Sequence, residues 1–423
     1  MWRGSLIEKF FRRVSRYVEM IGIVFQDKLE SFKDSNSELF EKLKDKEPPL
    51  PDRAPRSNIF GKVFDFVSPE NFSVFRLYVI MAVLFILGAP VSFIPILYPS
   101  YYALAVALFI FGVLLVGVGG RLTRKIENGL EGYEAPYELL GGFFVIGLFG
   151  LIVNFVSVGI PLFDSALRYS YHNRLWSMSI IFYMLGMMGV YVKNRDGTTF
   201  NLLFVLSFLI ALFSGFRTDF LILLGPLVVY RYLKDDFSKS RVFYLAAFFL
   251  FFVVAIRYTL LTFSSMQPSL QHILTSDIFL GKIGLNFHAL SIFIMEGGLW
   301  GVGEGMISAG KFFFQIVRIP SWDFGAVGAD LVINMTRRFE SSLVGPTYLD
   351  MGIPGVLFFM VLVGFLAELP KRLYKLASSD FFLALYAVQV SIMLVWVQTG
   401  IVQYYLFYLF FIIGFYCLWK VKG

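Results

Sequence analysis

The chain has 423 residues, 57% of them hydrophobic and 16% charged, with a formal net charge of +7. That balance excludes a soluble globular protein, and apolar runs that are continuous rather than alternating exclude a β-barrel. The positive charge lies near the N-terminus and in short connections, where it sets membrane orientation, so it does not point to nucleic acid.

In chain order, residues 1–57 read as a cytoplasmic N-terminal arm. MWRGSLIEKFFRRVSRYVEMIGIVF has apolar residues at helical spacing with Arg and Lys between them, which suits an amphipathic helix on an anionic membrane surface. A solvated helix or coiled-coil arm fits the same pattern. EPPLPDRAPRS, 47–57, is a Pro-rich linker. The charged N-terminus has no short apolar run with a cleavage site, so the first span is expected to be its own insertion signal. The single Cys417 cannot form a disulfide within the chain.

Residues 58–423 read as an all-α, multi-pass membrane domain with about ten transmembrane helices. The expected spans are 77–97, 101–119, 139–160, 176–192, 200–213, 220–233, 242–258, 348–367, 381–397 and 402–420. With that count, the arm, Arg121–Lys125, Lys193 and Arg195, Arg231–Arg241, Lys371–Lys375, Lys420 and Lys422 all fall on one side. The positive-inside rule makes that side cytoplasmic, with both termini inside a plasma membrane. The connections 161–175, 214–219 and 259–345 then lie outside. The last is too long for a plain connection and too apolar for disorder. Its patches FHALSIFIM and KFFFQIV predict amphipathic helices forming a cap, partly lying in the membrane, over a cavity.

The candidate site residues sit in those three connections. Arg217 stands in the turn of a tight helical hairpin, where a charge close to hydrocarbon needs a partner. That partner is Asp219 in the same turn, or a phosphate held by the guanidinium fork. Arg168, His172 and Arg174 form a second external group, and Arg337, Arg338 and Glu340 a third. His288 lies on a helix-spaced apolar run and is a core residue or, like Glu340, a general base. Cations placed outside against the orientation bias suggest an anionic ligand, and at an outer leaflet a lipid diphosphate fits better than a soluble nucleotide. There is no Walker loop, no D-x-D and no Cys/His cluster, and GVGEG does not follow a strand. No metal and no cofactor are expected, and a transferase using nucleotide sugars is disfavoured.

GIPLFDSALR after the third span, SGFRTDFLILL between two spans and RRFESSLVGPTYLDMGIPGVLFFMVLVGF at the eighth resemble the Wzy-type oligosaccharide repeat-unit polymerases, or O-antigen polymerases. The resemblance covers most of the chain after residue 75. It implies a glycosyltransferase that joins oligosaccharide repeat units carried on a polyprenyl diphosphate at the outer face. Arg217, Arg337 and Arg338 would stabilise charge on the leaving diphosphate, and Glu340 or His288 would take the acceptor proton. Arg168, His172, Arg174 and Asp219 would bind substrate. The partners implied are the lipid-linked substrate, membrane lipids and a polysaccharide export or chain-length control system. A ligase-like glycan transferase would use the same donor. A lipid-linked oligosaccharide flippase or transporter is the rival from another class, although span centres almost free of charge favour an enzyme.

Overall fold

Inside hydrocarbon the backbone has only itself to hydrogen-bond, so apolar runs of this length form helices. The computed structural model describes residues 68–70, 72–88, 99–126, 135–162, 167, 171, 173–234, 280–300 and 343–399, without the side chains of 84–88, 99–100, 174, 217, 280–286, 288 and 398–399. The chain divides into two compact units, Met1–Lys62 and Val63–Gly423, and the described residues belong to the second. The arm, the expected spans at 242–258 and 402–420, and most of the connection 259–345 lie outside the described residues.

The helices are α1 (Val74–Gly88), α2 (Pro99–Leu122, continued by a 3-10 turn), α3 (Tyr137–Val158), α4 (Arg174–Asn194), α5 (Gly197–Ser214), α6 (Arg217–Leu233), α7 (Leu280–Gly297), α8 (Gly345–Ala377) and α9 (Asp380–Thr399). Among the described residues there is no strand. Six helices among the described residues, α2, α3, α4, α5, α8 and α9, are long and apolar enough to cross a bilayer. The chain is an all-α polytopic membrane protein. On α3, Val145, Phe149, Ile152 and Val156 are exposed along one stripe, as a lipid-facing surface requires.

Close backbone approach sets the pairing. Gly147 on α3 faces the backbone of Tyr183 on α4, and Gly186 faces that of Phe144, so any Cβ would hold this antiparallel pair apart. α2 and α8 run parallel, with Gly119 against Val361 and Gly364 against Val116. α9 is the central helix: Tyr386, Met393 and Trp396 are fully buried, and its main partners are α6 and α8.

Ion pairs and hydrogen bonds then hold Arg195, Lys234, Lys371 and Arg372 at one end of the bundle. Asp380 at the start of α9 pairs with Arg195 after α4 and with Lys234 after α6. Arg372 donates to the Ile126 carbonyl at 3.0 and 2.7 Å. Glu368 accepts from the Val74 N–H at 2.6 Å and the Tyr386 hydroxyl at 3.3 Å, while Lys371 donates to the Phe72 carbonyl. The connections α3–α4 and α5–α6 lie at the opposite end.

α7 comes from the connection 259–345. Phe287, Leu290 and Phe293 are buried, and Phe287 meets Tyr102 and Phe109 of α2 edge-on at 5.9 and 5.4 Å. The turn after α7 clasps α8: the Gly298 carbonyl accepts the Tyr348 hydroxyl, and the Leu299 carbonyl accepts the Ile353 N–H at 3.0 Å. α8 breaks there, at Gly352 (φ 62°, ψ −145°), and folds back so that the Thr347 carbonyl abuts Gly355. Residues 343–350 are all buried, and Val344 reaches Gly112 halfway along α2. Such an interrupted helix is tolerated at this depth because protein surrounds it.

Candidate functional site

A buried amide in an apolar span needs hydrogen-bond partners, and the partners of Asn154 build the end of the bundle opposite the basic one. Its Nδ2 donates to the Tyr171 carbonyl at 3.1 Å, and its Oδ1 accepts from Asn173 Nδ2 at 2.7 Å. Asn173 in turn caps α4, accepting the Trp176 N–H at 2.9 Å. These bonds pin the 161–173 connection to the last turns of α3.

The same connection is held against the α5–α6 turn. The Leu162 N–H donates to the Phe213 carbonyl at 3.2 Å. The Tyr171 ring stacks on Phe216 (centroids 6.2 Å apart, planes at 13°) and packs on Phe155 at 5.2 Å. Gly215 ends α5 with φ 67°, which lets α6 start two residues later. Asp219 lies in the first turn of α6, where a carboxylate faces the positive end of the helix, and is 1% exposed. Burial pushes the Tyr171 phenol well up, and the nearby Asp219 carboxylate pushes it the same way.

Of the expected site residues, Arg174 and Arg217 are the first residues of α4 and α6, so their backbones stand at this corner. Arg168 and His172, outside the described residues, are bracketed by Leu167, Tyr171 and Asn173, which are described. The backbones of Arg174 and Arg217, from two of the three expected groups, therefore stand at one corner. His288 is on α7, next to Phe287, in the half of the bundle away from the basic end. Arg337, Arg338 and Glu340 lie outside the described residues, just before the buried segment 343–350.

Sequence reasoning missed Asn154, Tyr171 and Asn173, which position the corner, and Asp350, fully buried just before the break in α8. Asn154 carried a usable signal, a lone amide in the last turns of an otherwise apolar span. Asn154→Leu strands the Asn173 amide and frees the Tyr171 carbonyl, a cost of about 1–3 kcal/mol. Trypsin should then cut after Arg168 faster than in the wild type, with insertion unchanged. Equal cleavage rates would show that the amide does not hold this connection.

A family model described as "Putative O-antigen polymerase" matches residues 70–411. No curated protein and no solved structure matches the chain.

Proposed function

The chain belongs to the O-antigen polymerase family, and from that premise we propose that it joins lipid-linked oligosaccharide repeat units at the outer face of the membrane. The donor is a glycan on a polyprenyl diphosphate, and the acceptor is a sugar hydroxyl of the next lipid-linked unit. The bond from the anomeric carbon to the diphosphate oxygen breaks, a glycosidic C–O bond forms, and the hydroxyl proton passes to a base, Glu340 or His288. The diphosphate departs with the bonding electrons. It is already a good leaving group, so neither nucleotide nor metal is required by the step.

What carries this reading is the convergence of the 161–173 connection with the α5–α6 turn, which brings the backbones of Arg174 and Arg217 to one end of the bundle beside buried Asp219. Arg217 holds the departing diphosphate, with Arg168, His172 and Arg174 as further donors and Asp219 orienting one of them. One of Arg337 and Arg338, adjacent residues that a helix would point about 100° apart, serves as a further donor to this diphosphate. The cations gathered at the other end support an orientation with that end, and both termini, in the cytoplasm.

The lipid-linked pool of a deletion strain tests the reaction. Loss of a polymerase leaves single repeat units on their lipid, facing outward. Single units facing inward would mean a flippase. Full-length polymer retained on the carrier lipid would mean a ligase.

A further inference from the structure

The basic end contains a cleft that the reaction proposed above does not use. It measures about 380 Å³ and lies between α1, α2 and α8. Its walls carry Arg76, Arg121, Arg124, Lys371, Arg372 and Lys375 against two carboxylates, Glu70 and Glu368. The orientation bias asks only that cations share a side of the membrane. It does not ask that three helices turn them into one hollow.

Part of this charge is engaged in holding the fold. Glu368 and Lys371 lie beside one another and tether the start of α1, and Arg372 is spent on the Ile126 carbonyl. Arg121, Arg124 and Lys375 are different: all three are exposed, and none forms an ion pair or hydrogen bond among the described residues. With Glu368 close enough to interact with Lys375, they form a cationic rim on a hollow that Gly117 and Gly120 also line. Below that rim, Leu104, Phe111, Leu114, Val118 and Leu122 are each 38–53% exposed, an apolar stripe along α2 that ends beside Arg121. A cationic hollow at the head of an apolar stripe matches an amphiphile with an anionic head.

We infer that this cleft binds the phosphate headgroup of an anionic lipid, with the acyl chains along the exposed stripe of α2. On the orientation proposed above, that lipid belongs to the cytoplasmic leaflet. Each cation near a headgroup is worth roughly fivefold in lipid partitioning.

The test uses the full-length chain in phosphatidylcholine vesicles containing phosphatidylglycerol, extracted gently and weighed by native mass spectrometry. The wild type should retain phosphatidylglycerol over phosphatidylcholine well beyond their ratio in the vesicle. Arg121→Gln, Arg124→Gln and Lys375→Gln together should lower that preference at least about tenfold. Lys125→Gln with Lys193→Gln, which removes exposed charge from the same end but outside the cleft, should leave it intact. Equal losses in both variants would reduce the effect to general surface attraction and overturn the assignment. So would displacement of the lipid by inorganic phosphate, which would make the ligand a soluble anion. Polymer synthesis is not the readout, so the result stands or falls independently of the reaction at the opposite end.

Discussion

Arg217→Ala should lower polymer synthesis by about 10²–10³-fold, the usual effect of removing one donor that stabilises developing charge. Membrane insertion should be unchanged, because the first position of α6 contributes no backbone hydrogen bond that Ala could not make. Arg217→Lys keeps the charge but loses the planar fork, so it should recover only a minor part of the activity. The competing account makes Arg217 the structural partner of Asp219, whose burial demands compensation. The two accounts diverge in the double variant. If Arg217 serves the diphosphate, Arg217→Ala with Asp219→Ala stays inactive. Normal polymer from the double variant would show that the arginine only balanced a buried carboxylate. Measuring polymer together with the lipid-linked pool separates slow transfer from loss of protein.

The six described spans were legible because bilayer thickness imposes a length and the apolar runs respect it, as α3 and α9 do to within two residues. Their partners were not. Nothing in the hydropathy of α3 says that Gly147 and Gly186 face each other's helices, because that depends on which side of each helix the small residues occupy. The convergence of the α3–α4 and α5–α6 connections was hidden for a similar reason. Arg168, Arg174 and Arg217 could be read as cations on one side of the membrane, but Tyr171 stacked on Phe216 is a tertiary contact between residues with ordinary apolar alternatives. FHALSIFIM showed its helical spacing, and α7 forms there, yet spacing alone could not name α2 as the surface that receives Phe287. Asp350 was in plain view inside the sequence pattern shared with the polymerases. Its burial follows from the fold-back at Gly352, which a run of helix-compatible residues conceals.

That fold-back gives the second large effect, loss of the folded end of the bundle in Gly352→Ala. At φ 62° and ψ −145° an L side chain is strained by about 1–3 kcal/mol before any contact is considered. Here the added Cβ would also run into the Leu299 carbonyl, the group that accepts the Ile353 N–H. The clasp between α7 and α8 would have to open, giving up roughly another 0.5–1.5 kcal/mol. The segment it releases, 343–350, is buried throughout, carries Asp350 and directly follows Arg337, Arg338 and Glu340. Gly352→Ala should therefore lower the thermal midpoint in detergent and remove polymer synthesis together. Tyr348→Phe supplies the comparison, because it deletes only the hydroxyl given to the Gly298 carbonyl and leaves the backbone untouched. It should cost about 1 kcal/mol and leave most of the activity. If the two variants behaved alike, side-chain tethering would be holding the segment and the glycine break would be incidental. A Gly352→Ala protein with wild-type melting and normal polymer would remove the fold-back from the requirements of the site.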